Sequence, residues 1–197
     1  MSVVLGLTGS IGMGKSTTAG FFRDAGVPVW DADAAVHRLY AAGGAAVDPI
    51  ARIRPQAIRD GAVDRAALKS WMAEDDTALG RIETIVHPLV AADRARFLRD
   101  HVDAPLVVLD IPLLFETGAA AGMDTVLVVS APAGEQRRRV LDRGEMDETT
   151  FAAILARQVP DAEKRARADH VIETRNLDQT RAEVEALIGK LTETQDA

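Results

Sequence analysis

The residues with the clearest chemical signature lie between Gly9 and Ser16, where the sequence is GSIGMGKS. Glycines at this spacing allow backbone conformations that other residues avoid, so successive N–H groups can point inward at phosphate oxygens. A lysine after the last glycine can reach the β- and γ-phosphates of a nucleoside triphosphate, and the hydroxyl that follows can ligate Mg²⁺. The spacing therefore predicts a phosphate-binding loop (P-loop) with Lys15 and Ser16 in those two roles.

The segments on both sides of the P-loop support this prediction. An apolar run precedes it at Val3–Thr8, and a helical pattern follows over 15–25. A helix that begins at the loop adds the positive end of its dipole to a phosphate site. The predicted triphosphate-binding residues are Gly9, Gly12, Met13, Gly14, Lys15, Ser16 and Thr17.

Two aspartates follow the second apolar run, at positions 31 and 33. Ligands of open α/β sheets bind outside the carboxyl ends of the strands, so both carboxylates are expected beside the P-loop. A kinase needs a carboxylate near the acceptor hydroxyl to orient it and to accept its proton. Asp33 is the candidate for this role, and the alternative is that it caps the helix that follows. Asp31 is interpreted as structural or linked to the metal.

An arginine cluster, RRR at 137–139 followed by Arg143, offers positive charge. On a helix, Arg139 and Arg143 share a face at i, i+4, whereas Arg137 and Arg138 point elsewhere. Guanidinium groups on one face can stabilise the charge of a transferring phosphoryl group, and we predict this catalytic role for Arg139 and Arg143. The alternative is a solvated basic face paired with the nearby acids Glu135, Asp142 and Glu145.

Other polar and aromatic residues have two possible interpretations each. Asp110 ends the third predicted strand and is either linked to Mg²⁺ or structural. Glu116 presents the same choice, with a role at the start of a helix favoured. The four histidines lack metal-ligand spacing. The aromatic residues Trp30, Tyr40 and Trp71 are predicted to lie in the core or at domain contacts.

The elements that must position these residues follow from apolar runs. The runs VVLGL, LVVLD and TVLVV are nearly continuous, as in strands of a parallel sheet covered on both faces. Helical patterns separate them, which predicts an α/β fold with a five-stranded parallel sheet flanked by helices. The predicted strands are Val3–Thr8, 27–31, Leu106–Asp110, Thr125–Ser130 and His170–Glu173. The predicted helices are 15–25, 34–41, Arg65–Glu74, 78–99, 134–143, 148–158 and 177–191.

Two intervals interrupt the alternation of strands and helices. From 33 to about 104 there is no convincing strand, only helical patterns around a turn at RDGA, 59–62. About 70 residues is too long for a plain crossover, so a helical insertion is expected there. A second, arginine-rich helical excursion lies between 132 and 168, and the polar end 192–197 is expected to be frayed.

The amino-acid composition excludes several classes of function. The chain has 197 residues, 47% hydrophobic and 27% charged, and a net charge of −7, which is typical of a globular domain and argues against broad binding of nucleic acids or anionic membranes. Cysteine is absent, which excludes disulfides and thiolate chemistry. No apolar run approaches the length of a membrane helix. The expectation is a soluble cytoplasmic protein with no evident obligate protein partner.

Five further segments accompany the P-loop: DAD at 31–33, VHPLV at 86–90, IPLLFE at 111–116, QVP at 158–160 and EKRARADHVI at 163–172. In this order and spacing, from the first strand to about Leu191, the chain resembles dephospho-CoA kinases. It differs at Thr174, where the family usually has Asn shortly after the last strand, so we assign no adenine contact to that position.

The resemblance implies transfer of the γ-phosphoryl group of ATP, with Mg²⁺, to the ribose 3′-hydroxyl of dephospho-CoA. It implies a nucleotide-binding core over 1–33 and 105–191, a lid at about 133–167 and a CoA domain over 34–104. Asp33 would be the general base. His87 could line the CoA site or be structural. The alternatives are a kinase for another small acceptor, such as a nucleoside monophosphate, and a nucleotide-binding module without catalysis.

Overall fold

The computed structural model describes residues 2–144 and 146–193. The chain divides into two compact units. The first consists of the chain up to Trp30 together with the chain from His101 onward, and the second is Asp31–Asp100. The corresponding boundaries expected from the sequence were 33 and 104.

In the described residues, the strands are β1 (Val3–Thr8), β2 (Val29–Asp31), β3 (Ile58–Arg59), β4 (Ala62–Val63), β5 (Leu106–Asp110), β6 (Thr125–Ser130) and β7 (His170–Glu173). The α-helices there are α1 (Lys15–Asp24), α2 (Ala32–Tyr40), α3 (Val47–Ile53), α4 (Arg65–Glu74), α5 (Ala78–Asp100), α6 (Ala133–Leu141), α7 (Glu148–Leu155), α8 (Asp161–Arg167) and α9 (Leu177–Glu193). Short 3₁₀ turns lie at Pro55–Ala57 and Ala119–Gly122.

The first unit is built on a five-stranded sheet in the order β2-β5-β1-β6-β7. β1 pairs in parallel with both β5 and β6, and β6 pairs in parallel with β7. Every residue of β5 and β6 is buried, as expected for central strands covered on both faces. The predicted five-stranded parallel sheet is thus confirmed.

Helices cover this sheet and place the P-loop at its carboxyl edge. Phe22 of α1 and Val184 of α9 pack with Leu5 and Leu7 in one core cluster. The P-loop lies between the end of β1 and the start of α1. Because β1, β5, β6 and β7 are parallel, their carboxyl ends lie at this same edge of the sheet. The residues after β5, β6 and β7 are therefore brought near the loop.

The second unit, by itself, is a helical body with one small hairpin. α2, α3, α4 and α5 pack around a core that includes Ile50, Trp71 and Ile82. β3 and β4 pair antiparallel around Asp60 and Gly61, which both have positive φ (51° and 75°), as a two-residue hairpin turn requires. The expectation of no strand here was wrong, because two-residue strands are too short to show an alternating pattern.

Several predicted boundaries also differ from the structure. β2 begins at Val29 instead of 27, since Pro28 has no N–H to give to a ladder. α6 ends at Leu141 rather than at 143, and α7 at Leu155 rather than at 158. α9 continues through Glu193, so the prediction of a frayed end over 192–197 was wrong for residues 192 and 193. Residues 194–197 lie outside the described residues. No described helix is both long and apolar enough to cross a membrane.

Candidate active site

Three glycines of the P-loop have a steric reason to be glycine. Gly12 and Gly14 have φ of 77° and 88°, in the left-handed region that other residues rarely adopt. Gly14 is also the N-cap residue of α1. Gly9 has ordinary φ, but a Cβ there would lie 2.6 Å from Cγ2 of Val129 on β6. The loop is thus both tightly turned and packed directly on the sheet.

The side chain of Met13 is a packing element of the loop and not a ligand-facing group. It is 2% exposed, and its Sδ accepts a hydrogen bond from the Ala131 N–H at 3.0 Å. The Met13 N–H donates to the Ser10 carbonyl within the loop at 3.1 Å. The ATP contact expected of Met13 stays a prediction, and it would have to come from the backbone.

Lys15 and Asp110 form an ion pair, with Lys15 Nζ 2.5 Å from Asp110 Oδ1. Asp110 ends β5 and is 2% exposed, and a carboxylate so deeply buried is costly unless a cation compensates it. The structure therefore brings together two residues that the sequence predicted for separate roles. A bound triphosphate would compete with Asp110 for the Lys15 ammonium.

The donor set near this ion pair fits a magnesium ion that is shared with substrate phosphates. Within the described residues, no group of three or more His, Asp or Glu side chains is arranged to hold a metal by itself. Mg²⁺ in phosphoryl-transfer sites keeps several waters and takes one or two protein oxygens besides the phosphates. The fit is limited to two oxygen-bearing side chains: Ser16, exposed in the first turn of α1, and Asp110 at the end of β5 would be the protein ligands of such an ion.

A cavity of about 190 Å³ adjoins the P-loop within the first unit. Gly12, Gly14 and Thr17 line one part of it. The other lining residues include Arg139 and Arg143, together with the chain at 174–177 that connects β7 to α9. The cavity thus places both predicted catalytic arginines beside the predicted triphosphate site.

The two arginines differ in how they are held. Arg139 is 24% exposed, and its guanidinium donates to Glu135 Oε1 (2.8 Å), to Thr174 Oγ1 (2.9 Å) and to the Thr174 carbonyl. Arg143 is exposed and lies two residues beyond the end of α6, so the expected i, i+4 helical pair with Arg139 was wrong. The side chain of Arg139 is held by hydrogen bonds to Glu135 and Thr174. Arg143 is exposed, follows the end of α6 and lines the cavity.

The neighbouring arginines form the solvated basic surface that the sequence left as an alternative. Arg137 pairs with Glu148 and Arg138 pairs with Glu135, and these guanidinium side chains are 57% and 64% exposed. Glu145, another expected partner, lies outside the described residues. Arg137 and Arg138 are therefore surface residues, unlike Arg139.

Thr174 is a site residue that the sequence did not predict. It is 7% exposed, lines the cavity, and donates from Oγ1 to the Met13 carbonyl at 2.7 Å. A Cβ on Gly14 would lie 2.9 Å from this hydroxyl oxygen. Thr174 thus links the P-loop to Arg139, and its place directly after β7 was the available signal.

In the second unit, Asp31 and Asp33 have different roles in α2. Asp31 is the N-cap residue, and its Oδ1 accepts from the Ala34 N–H at 2.9 Å. Asp33 lies in the first turn and is exposed. The helix-cap alternative for Asp33 was wrong, and Asp31 fulfils that structural role. His87 is exposed on α5, next to Pro88 inside the helix.

Glu116 does not start a helix, contrary to the interpretation favoured from the sequence. It lies in a series of turns after β5, accepts from the Val159 N–H at 2.9 Å, and pairs with Lys164 Nζ at 2.8 Å. Lys164, on α8, is fully buried. Burial raises the pKa of the Glu116 carboxyl, but Lys164 and the backbone N–H groups outweigh it, so the pKa is lowered overall.

Comparison with known proteins assigns the family. A family model described as dephospho-CoA kinase matches residues 3–179. The chain belongs to the dephospho-CoA kinase family. The resemblance inferred from the DAD, IPLLFE and QVP segments is therefore confirmed.

A curated relative bears the same family name, and two solved structures share the fold. A dephospho-CoA kinase of Cereibacter sphaeroides is 63% identical over 193 residues, 98% of either chain. A crystal structure of TT1252 from Thermus thermophilus matches with a TM-score of 0.81 and 36% identity, covering 97% of this chain and 98% of that one. Dephospho-CoA kinase from Campylobacter jejuni, at 22% identity, shares the fold with a TM-score of 0.74 over 99% and 100% of the two chains.

In this member of the dephospho-CoA kinase family, Glu116→Gln is expected to destabilise the fold. It leaves the fully buried Lys164 ammonium without its counter-charge, which costs about 3–5 kcal/mol in the free energy of unfolding. Denaturant unfolding at pH 7 measures this, with Glu163→Gln, which removes an exposed pair with Arg167, as the matched control. Equal stability of the two variants would contradict a structural role for the buried pair.

The same ion pair predicts a pH dependence of stability. The native pKa of Glu116 lies below its unfolded value of about 4.3, so its contribution is complete above that value and is lost as the pH falls through the lowered native pKa. The stability difference between the original protein and Glu116→Gln should therefore be constant from about pH 6 to 8 and shrink below about pH 4. A difference that grows on acidification would contradict the assignment.

Proposed function

We propose that this dephospho-CoA kinase family member transfers the γ-phosphoryl group of ATP to the ribose 3′-hydroxyl of dephospho-CoA, giving CoA and ADP. The observation that carries the proposal is the P-loop: it holds the Lys15–Asp110 pair, and its residues Gly12, Gly14 and Thr17 line a cavity together with Arg139 and Arg143. A triphosphate needs such convergent N–H groups and cations, and the family match supplies the acceptor class.

The nucleotide is proposed to bind with its phosphates on the P-loop and its nucleoside toward the chain at 174–177. This direction is favoured because the cavity extends from Gly12 and Gly14 to that segment, where Leu177 offers an apolar side chain that is 67% exposed. Ser16 and Asp110 would hold Mg²⁺, which neutralises phosphate charge when bound.

In the proposed reaction, the 3′-hydroxyl oxygen forms a bond to the γ-phosphorus as the bond from that phosphorus to the β–γ bridging oxygen breaks. The electron pair of the broken bond leaves with ADP, and the hydroxyl proton passes to the Asp33 carboxylate. Lys15 and Arg143 would stabilise the charge on the phosphate oxygens during the transfer. Asp33 suits its role because it is exposed and the cap of α2 is provided by Asp31.

The second unit, Asp31–Asp100, is proposed to bind dephospho-CoA, with His87 among the candidate contacts. The helical segment at about 133–167 is proposed to act as a lid, which for this chain means α6, α7 and α8. A lid of this kind excludes water, which would otherwise compete with the acceptor hydroxyl for the phosphoryl group.

The decisive test is ADP release from ATP, Mg²⁺ and dephospho-CoA in a coupled assay, with the product identified by mass. We expect CoA formation with a strong preference over AMP and CMP as acceptors. A preference for a nucleoside monophosphate would replace the proposal with a different kinase activity. Absence of ADP above background at saturating substrates would favour a nucleotide-binding module without catalysis.

A further inference from the structure

The backbone of Ile11, in the middle of the P-loop, is held from both sides by glutamine side chains. Gln136 Nε2 donates to the Ile11 carbonyl at 2.7 Å. Gln158 Oε1 accepts from the Ile11 N–H at 3.2 Å. Gln136 lies on α6 and Gln158 lies three residues beyond the end of α7, so the pair comes from two ends of one arginine-bearing segment.

The contact between α6 and the loop is tight as well as polar. Gln136 is 5% exposed, and a buried amide of this kind is nearly always hydrogen-bonded because leaving it unpaired is costly. At Gly12, a Cβ would lie 2.6 Å from Cγ2 of Val140 and 3.0 Å from the Gln136 carbonyl oxygen. α6 therefore packs directly on the P-loop backbone, with no room for a side chain between them.

Each glutamine determines which way a peptide group faces. In a trans peptide the C=O and N–H bonds point in opposite directions. Drawing the Ile11 carbonyl toward Gln136 therefore turns the Gly12 N–H to the opposite side. Drawing the Ile11 N–H toward Gln158 likewise turns the Ser10 carbonyl away from Gln158, and that carbonyl accepts from the Met13 N–H within the loop at 3.1 Å.

We propose that Gln136 and Gln158 are positioning residues of the P-loop, which orient the peptides on either side of Ile11 so that the Gly12 N–H is presented to the nucleotide phosphates. The proposal rests on the proposed function, since it assigns a role within the same site. Neither glutamine touches the reacting atoms. They act on phosphate binding by fixing the orientation of the Ile11 backbone. This contact couples the position of α6, and of the chain after α7, to phosphate binding.

Because the two glutamines have opposite hydrogen-bonding roles, the same substitution should have different effects at the two positions. Gln136 donates and Gln158 accepts. Met at either position keeps the length of the side chain but removes the hydrogen bond, and we expect ATP affinity to fall by about 10-fold for Gln136→Met. An ionised Glu can still accept at 158, but at 136 it would set a carboxylate against the Ile11 carbonyl.

The experiment measures the ATP dissociation constant by calorimetry without acceptor, and kcat and KM with dephospho-CoA, between about pH 5.5 and 8.5. For Gln136→Glu we expect weaker ATP binding than for Gln136→Met at high pH, with recovery toward low pH as the protonated carboxyl becomes a donor. For Gln158→Glu we expect binding at least as tight as for Gln158→Met, with no such recovery. Gln179→Met, on the exposed surface of α9, is the matched control.

The outcomes separate this proposal from the proposed function. ATP affinities of both Met variants equal to the control would overturn it, as would identical pH profiles for the two Glu variants. Because ATP binding is measured without acceptor, the expected affinity pattern supports the positioning role even where the original protein forms no CoA, an outcome that would contradict the proposed function alone. Thermal unfolding of each variant identifies any loss of ATP affinity that is caused by misfolding. If Gln136→Glu does not fold, the comparison of Gln158→Glu with Gln158→Met still tests the proposal, because position 158 is partly exposed.

Discussion

Replacing Asp33 by Asn is expected to lower kcat for CoA formation by about 10²–10⁴-fold while leaving ATP affinity almost unchanged. The physical reason is that Asn has nearly the same shape but cannot accept the proton of the acceptor hydroxyl. Because Asp31 caps α2, the substitution at 33 removes no cap, and the helix is expected to remain intact. Steady-state kinetics together with calorimetric ATP binding measure both quantities.

The matched control for this substitution is Asp48→Asn. Asp48 is an exposed aspartate in the first turn of α3, as Asp33 is in the first turn of α2. It should retain the original kcat, because it has the same local setting without the proposed chemistry. A parallel loss of ATP binding and kcat in Asp33→Asn would indicate a structural role for Asp33 and contradict the general-base assignment.

Replacing Arg143 by Ala is expected to lower kcat by about 10³-fold or more, within the range found for arginines that stabilise a transferring phosphoryl group. Arg143 is exposed, lines the cavity beside the P-loop and lies past the end of α6. Lys at this position should recover only part of the rate, because a point charge lacks the planar fork of the guanidinium. Single-turnover kinetics at saturating ATP isolates the chemical step.

Arg139 and Arg137 provide the comparison for Arg143. Arg139 is held by Glu135 and Thr174, so its replacement by Ala should mainly raise the KM for ATP by loosening the cavity wall. Arg137→Ala breaks an exposed surface pair with Glu148 and should change neither parameter appreciably. If Arg139→Ala lost more kcat than Arg143→Ala, the order of the two roles would be reversed.

Local patterns were sufficient for the sheet and the P-loop. β5 and β6 are continuous apolar runs because they are buried on both faces, and that information lies within each run of five or six residues. The P-loop is likewise a short motif in which glycine spacing and Lys15 are both visible. The same locality explains the errors, since the hairpin β3–β4 has too few residues to form a pattern.

The assignment of individual polar residues depended on contacts that the sequence does not display. Asp33 precedes Ala34 and could have capped α2, but the helix begins two residues earlier than that, at Ala32, and Asp31 makes the capping bond. Glu116 could have begun a helix, but the buried ammonium of Lys164 pairs with it instead. In both cases the residue type indicated a polar role, but the sequence did not show which group would be its partner.

By itself, therefore, the sequence determined the fold class, the family and the position of the triphosphate site, because each is encoded in short runs of neighbouring residues. Only the tertiary structure decided which side chains hold the P-loop in shape. Thr174 bonds to Met13 across 161 residues of chain, and Gln158 bonds to Ile11 across 147. The first pair forms because the parallel strands β1, β6 and β7 bring their carboxyl ends to one edge. The second forms because the helical segment between β6 and β7 packs against the P-loop, and no local pattern records either contact.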